Sequence, residues 1–243
     1  MSSVTEHYEN HLAPIYLWMV GGMEAAIARG QAELESLGLR PKKNLQAIDL
    51  GAGFGMHSIP LANLGYSVLA VDNSETLLEV LRGQIGARAI TTLREDLTSF
   101  KRHVGSPVAL IVCMGDTLTH LTERASVEQL FADVADCLEP GGTFVATFRD
   151  YSASLGELNR FIPVRNDTDR ILSCFLEYGD ETVTVHDILH ERDGAGWRQR
   201  VSAYRKLRLS IDWVVLALES PGLQVRQEPG PAGMVRVIAK RPV

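Results

Sequence analysis

The chain has 243 residues, of which 45% are hydrophobic, and a formal net charge of −6 at pH 7; this length predicts one sizeable domain carrying an elaboration. The acidic balance, with a sequence pI near 5.7, removes the electrostatic attraction that drives nonspecific nucleic-acid binding, so no nucleic-acid partner is expected. The longest uncharged apolar run, HLAPIYLWMVGGM, is interrupted by Pro14, and the amino terminus MSSVTEHYEN shows no basic start followed by a long apolar segment; a cytoplasmic protein with no membrane span is therefore expected.

Residues 4–37 read as helical, interrupted near Pro14 and Gly21-Gly22, and RPKK at 40–43 leads into a first strand in LQAIDL. SVLAVD and ARAITTL are short runs rich in β-branched residues, PVALIVCM is almost continuously apolar, and TFVATF follows a LEPGG turn. Helices are expected between them, near 55–64, 74–82 and 123–138. Continuous apolar strands separated by helices predict an α/β, doubly wound sheet, mostly parallel and covered on both faces. After residue 165 the period changes to two, in ILSCFLEYGDETVTVHDILHE and, past Asp193-Gly194, in GWRQRVSAYRKLRL. That alternation predicts antiparallel strands with one wet face. A helix near 210–219 and strands near 223–228 and 233–240 follow, the last antiparallel. The expected organisation is a single domain over 1–243: a helical amino-terminal cap (1–40), a cofactor-binding core (45–150), an antiparallel strand insertion (165–207), and a final helix and strands (208–243). Cys113, Cys137 and Cys174 show no paired metal-ligand spacing, so reduced thiols and no metal are expected.

The first strand runs into Asp49-x-Gly51-x-Gly53-x-Gly55. Glycines after a buried strand let backbone approach a ligand, and the helix that follows offers unpaired N–H groups to an anion. A pyrophosphate-binding turn wants a third glycine where this chain has Met56, which disfavours a nicotinamide oxidoreductase and leaves the carboxylate of S-adenosylmethionine as the anion. Asp72, at the end of the second strand, is placed to accept hydrogen bonds from both ribose hydroxyls. Asp96, past the third strand, is a candidate for an adenine amino group with the Leu97 N–H reaching a ring nitrogen, or else a cap for DLTSF.

DLGAGFG (49–55), VDNS (71–74), EDL (95–97), ALIVCMGD (109–116) and LEPGGTFV (138–145) occur in an order that resembles the class I S-adenosylmethionine-dependent methyltransferases. The resemblance implies a Rossmann-like methyltransferase sheet, S-adenosyl-L-methionine as cofactor and S-adenosyl-L-homocysteine as product. It also brings Asn73 and Met114 into the cofactor set. With its aromatic amino terminus, HYENHLAPIYLWMVGG, and its strand insertion, the chain is similar to the glycine and sarcosine N-methyltransferase branch. That finer resemblance implies a substrate-carboxylate role for Arg149, places Asp116 where the branch has asparagine, aligns Tyr151 with a tyrosine of the branch, and assigns Tyr16 to an aromatic cover over the cofactor.

From the residues themselves, Asp116 is a base or electrostatic partner for an amine, or a cap for DTLTHL. Arg149 offers a fork for a carboxylate, or pairs with Asp150 or Glu157. His120 is a proton acceptor or a structural residue. Tyr8, Tyr16 and Trp18 form an aromatic cover for a sulfonium or a staple to the core. Five arginines, Arg165, Arg170, Arg198, Arg200 and Arg205, line an acidic-substrate pocket or form the wet face of the strands. The leading expectation is methyl transfer to a small-molecule amine or amino-acid-like nitrogen under an amino-terminal lid, by a monomer or homodimer. The alternatives are a non-catalytic cofactor-binding module and a methyltransferase with an oxygen, sulfur or macromolecular acceptor.

Overall fold

Between residues 46 and 148 the chain alternates strand and helix, laying down five parallel strands: β1 (Gln46–Leu50), β2 (Ser67–Asp72), β3 (Ile90–Arg94), β4 (Val108–Cys113) and β5 (Leu138–Phe148). Four more strands follow, β6 (Phe161–Asn166), β7 (Arg170–Tyr178), β8 (Thr182–Asp193) and β9 (Gly196–Leu207), then β10 (Gln224–Pro229) and β11 (Val235–Lys240). The computed structural model describes residues 4–41, 43 and 45–243, with backbone alone for Val4 and Thr5. Sequence readings that touched residues 1–3, Lys42 and Asn44 lie outside the described residues.

The larger sheet has seven strands in the order β10-β11-β5-β4-β1-β2-β3. β11 runs antiparallel to both β5 and β10. The chain starts at the middle of the sheet, moves outward to β3, then returns to lay β4 on the other side of β1. That reversal opens a crevice at the carboxyl ends of β1 and β4, where ligands bind in open α/β sheets. Both faces are dry because successive residues of β1 point to opposite layers. Ile48 and Leu50 cluster with Leu130, Phe131 and Val134 of the helix Arg124–Cys137. Ala47 clusters with Leu34 of Met23–Ser36 and Leu61 of Ser58–Asn63.

The LEPGG segment is not a separate turn. Val108 pairs with Leu138 and Leu110 with Thr143, so the residues between bulge out within β5, helped by Gly141 at φ 80°.

The smaller sheet, order β6-β7-β8-β9, is antiparallel throughout. It begins at Phe161, earlier than the residue 165 expected from periodicity. β6 is an edge strand in which Pro163 is tolerated and most side chains are exposed, so the alternation that marks its partners is missing. The inner face of this sheet carries buried Leu172 and Leu189, which pack with Ile15, Trp18 and Met19 of the amino-terminal segment.

That segment is a chain of short turns: Val4–His7 α-helical, Tyr8–Leu12 π-helical, Ala13–Ile15 3₁₀ and Tyr16–Met19 α-helical. Pro14 has no N–H to extend the π-helical turn, and Gly21 and Gly22, at φ 90° and 95°, separate the segment from the helix Met23–Ser36. Among the described residues no helix is long and apolar enough to cross a membrane.

Candidate active site

A cavity of about 650 Å³ lies between the carboxyl ends of β1, β2 and β4, the amino-terminal segment and the end of β9. Its floor is the glycine turn. At φ 76°, Gly51 takes a backbone conformation that side chains resist, and a Cβ there would come within 2.3 Å of Thr117 Cγ2. Gly55, at φ 94°, leaves no room either, since its Cβ would meet Leu81 Cδ1 at 2.4 Å. Gly51 keeps the cavity floor open; Gly55 lets the turn pack on the helix Glu75–Arg82.

Asp72 joins this floor to the end of β2: one carboxylate oxygen accepts the Gly53 N–H at 2.7 Å and the other the Ser74 N–H at 2.8 Å. Burial raises its pKa, and the two N–H donors oppose that rise. Asp96 caps the 3₁₀ segment Leu97–His103, accepting the Thr98 N–H at 2.8 Å and its hydroxyl at 2.5 Å. Tyr16, Gly51, Gly53, Asp72, Asn73, Asp96, Leu97, Met114 and His120 all line the cavity.

Five other residues of the expected set do not line it. Asp49 lies beneath the glycine turn, buried, accepting the Ser58 hydroxyl at 2.6 Å; it holds β1 to the following helix. Gly55 faces the helix. Arg149 is exposed, and its guanidinium donates to the Ala232 carbonyl at 3.1 Å; in place of a substrate carboxylate it finds backbone.

Asp116, at φ 73°, is buried and already paired. One of its oxygens accepts the Arg149 N–H at 2.8 Å and the Thr119 hydroxyl at 3.1 Å, and the other accepts Lys206 Nζ at 2.5 Å. A carboxylate so engaged is a structural counter-ion rather than a base for an incoming amine. Tyr151 is buried behind it, its hydroxyl 3.5 Å from the same carboxylate.

Of the wall opposite the glycine turn, the sequence singles out Tyr8, Tyr16 and His120 but not His7, Tyr204 or Lys206. The Tyr8 hydroxyl lies 3.2 Å from His120 Nε2. His120 stacks on Tyr204, centroids 5.4 Å apart at 19°, and the His7 ring lies 4.2 Å from that of Tyr204. Tyr8 and Tyr16 are 6.1 Å apart, and Tyr16 reaches Phe54 of the glycine turn at 5.8 Å. This aromatic row connects β9 to the glycine-turn floor across the cavity.

Electrostatics differ sharply along the row. Burial holds the His120 pKa well below its ordinary value, and the charges of Lys206 and His7 push the same way; its imidazole is neutral at pH 7. Its Nδ1 is buried with no partner among the described residues. Burial raises the Tyr8 pKa well above the ordinary value and pushes that of Tyr16 up to about 12, so both stay phenolic. Lys206, Arg205, Thr182 and Leu207 complete this end of the cavity. Lys206 and Tyr204 are two apart on the inner face of β9, a period-two signal that marked them as strand residues but not as site residues.

Polar contacts fix the amino-terminal segment over the cavity. Nδ1 of His7 lies 2.7 Å from the Ser202 hydroxyl and its Nε2 2.9 Å from Asp187, while Glu9 accepts the Thr76 hydroxyl at 2.7 Å beside the Asp72 loop.

Residues 47–142 match the family model described as a methyltransferase domain, and they span the glycine turn, Asp72, Asp96 and His120. Residues 47–142 therefore form a methyltransferase domain of the class I S-adenosylmethionine-dependent kind.

Its cofactor is S-adenosylmethionine. Among curated proteins, the glycine/sarcosine N-methyltransferase of Aphanothece halophytica is 23% identical over 159 residues, covering 63% of this chain and 59% of that one. The chain thus spans about three fifths of the length of that relative. Among solved structures, the CcbJ methyltransferase from Streptomyces caelestis has a TM-score of 0.80 at 20% identity, covering 97% of this chain and 98% of that one. The glycopeptide N-methyltransferase MtfA, in complex with S-adenosyl-L-methionine, has a TM-score of 0.62 at 23% identity and covers 88% of each chain. These structural likenesses are likenesses of fold.

Proposed function

We propose that this methyltransferase acts on a small-molecule amine, with His120 as the proton acceptor. The observation that carries the reading is His120 itself: a neutral imidazole on the cavity wall, its Nε2 3.2 Å from the Tyr8 hydroxyl. An ammonium has no lone pair for a methyl group. A base that is neutral at pH 7 can take the amine proton; burial makes His120 a weaker base, and burial of the incoming ammonium in the same cavity makes that group a stronger acid, so general-base assistance of the usual size, about 10²–10⁴-fold, stays within reach.

The residues present fit the cofactor. Gly51 and Gly53 leave the floor open to a carboxylate, Asp72 and Asn73 stand where a ribose would lie, and Asp96 with Leu97 forms the far wall. When bound, S-adenosylmethionine supplies a methyl group on a sulfonium for in-line displacement. The chain then has to hold the acceptor in line and keep water out. Tyr8 and Tyr16 cover the cavity from the amino-terminal segment, and Tyr204 supports the His120 ring from behind. The Tyr8 hydroxyl orients His120, because the nitrogen it engages sets the tautomer of the other.

A nitrogen acceptor agrees with the activity of the Aphanothece halophytica relative, a glycine/sarcosine N-methyltransferase. If the acceptor carries a carboxylate, Arg205 is the arginine among the residues that line the cavity. The enclosure of the cavity under the amino-terminal segment and the net charge of −6 support a small molecule over a nucleic acid.

The test is an incubation with S-adenosylmethionine carrying an isotopically heavy methyl and a small-molecule extract, read by mass spectrometry. An amine that gains the heavy methyl is the expected result. Labelling confined to macromolecules, with the cofactor demonstrably bound, would refute the reading.

A further inference from the structure

The outer face of the four-stranded sheet exposes a group of large apolar side chains. Phe161, Val201 and Ile171 are 55%, 57% and 43% exposed. They share this face with Phe175 and Ile188, because the pairs Phe161↔Phe175, Ile188↔Val201 and Ile171↔His190 put them on the side opposite buried Leu172 and Leu189. Phe161 and Phe175 pack ring to ring at 4.7 Å and Ile188 pairs with Val201 on the next two strands, so apolar side chains recur on all four strands, with Ser173, His186 and His190 among them. An exposed apolar patch edged by polar groups is the anatomy of an interface.

Charged side chains flank the apolar groups at both ends of the face. At one, Glu177 reaches His186 at 3.0 Å, with exposed Arg205 across Thr184 on β9. At the other, Arg192 lies over the Trp197 ring at 4.7 Å and has no carboxylate partner among the described residues. These ends sit on either side of the Ile188–Val201 pair.

We propose that a second copy of this chain covers the face, about a two-fold axis that crosses the strands near Ile188 and Val201. Such an axis lays the Glu177 end of one copy over the Arg192 end of the other, twice, and buries the apolar centre of both. The fit is also one of shape, because a flat sheet face is matched by a second sheet packed roughly 10 Å away. Four strands roughly 4.8 Å apart and some nine residues long offer about 600 Å² per copy. Doubled, that area reaches the lower end of stable interfaces, roughly 1,200 Å².

Sedimentation of the full chain, with Val201→Glu and with the charge reversals Glu177→Arg and Arg192→Glu, tests the proposal. The wild-type chain should sediment at twice 26.7 kDa. Val201→Glu should weaken dimerisation by about 30-fold or more, as at the centre of an interface, and still bind S-adenosylhomocysteine in calorimetry. Each charge reversal alone should weaken the dimer, and the two together in one chain should restore it; this readout holds even if Val201→Glu fails to fold. A monomeric wild-type chain would overturn the proposal. So would a dimer indifferent to Val201→Glu, or a double reversal no tighter than the singles.

Discussion

The two ends of the cavity are made in different ways. The end we assign to the cofactor comes from a stretch between Gly51 and Leu97. It relies on backbone: positive-φ glycines, and a carboxylate at Asp72 that ties two loops by accepting their N–H groups. The end we assign to the acceptor is assembled from Tyr8, His120, Tyr204 and Lys206, residues far apart in sequence. It relies on side chains whose charge states are set by burial. A cofactor common to a family is held by geometry that a fold repeats; an acceptor particular to one enzyme is held by side chains that the lid and the second sheet can vary.

Substitutions can break that contrast. The largest expected effect is on the acceptor end. Lys206→Met leaves the Asp116 carboxylate buried without its cation, which costs about 3–5 kcal/mol; thermal unfolding should show it as a large drop in melting temperature, and an unchanged melt would mean that the pair carries no charge. Next, Asp72→Ala should weaken S-adenosylhomocysteine binding by about 1.5–3 kcal/mol, roughly 10- to 150-fold. Calorimetry measures this directly, and undiminished affinity would remove Asp72 from the cofactor end.

A smaller change is expected from Tyr8→Phe, which keeps the ring and deletes the hydroxyl facing His120. It should slow transfer by the worth of one hydrogen bond, about 0.5–1.5 kcal/mol, and leave cofactor affinity alone. A matching loss of affinity would show that Tyr8 serves the cofactor as well. The smallest belongs to Arg149→Ala. Its side chain lies on the surface, so stability should stay within about 0.5 kcal/mol and the acceptor Michaelis constant should not move. A large rise in that constant would return Arg149 to the site.

The same contrast governs what was legible in the sequence. Glycine spacing, a strand ending in Asp72, and an acid past β3 are local patterns, and each is present at the cofactor end. The parallel strands were legible because both faces are buried and their runs are continuously apolar. β6 was not, because Pro163 and its exposed side chains erase the period of two. At the acceptor end, His120 and Tyr16 stood out by residue type, and Tyr8 as part of an aromatic cover. Lys206 and Tyr204 did not, since nothing in one strand of alternating residues says that its inner face will meet a loop some 80 residues upstream. Asp116 was noticed for its charge, but the partner that occupies that charge lies at residue 206. Arg149 was singled out through a family resemblance, and the local structure turns it toward the Ala232 carbonyl instead.

The most direct test of the account uses one protein and two measurements. His120→Asn removes the neutral base and retains a polar side chain in the same space. The account predicts that S-adenosylhomocysteine affinity, by calorimetry, stays within about twofold, while the rate of methyl transfer to the acceptor amine falls about 10²- to 10⁴-fold. Equal losses in affinity and rate, or a rate that does not change, would contradict the separation of a cofactor end from an acceptor end that carries the base.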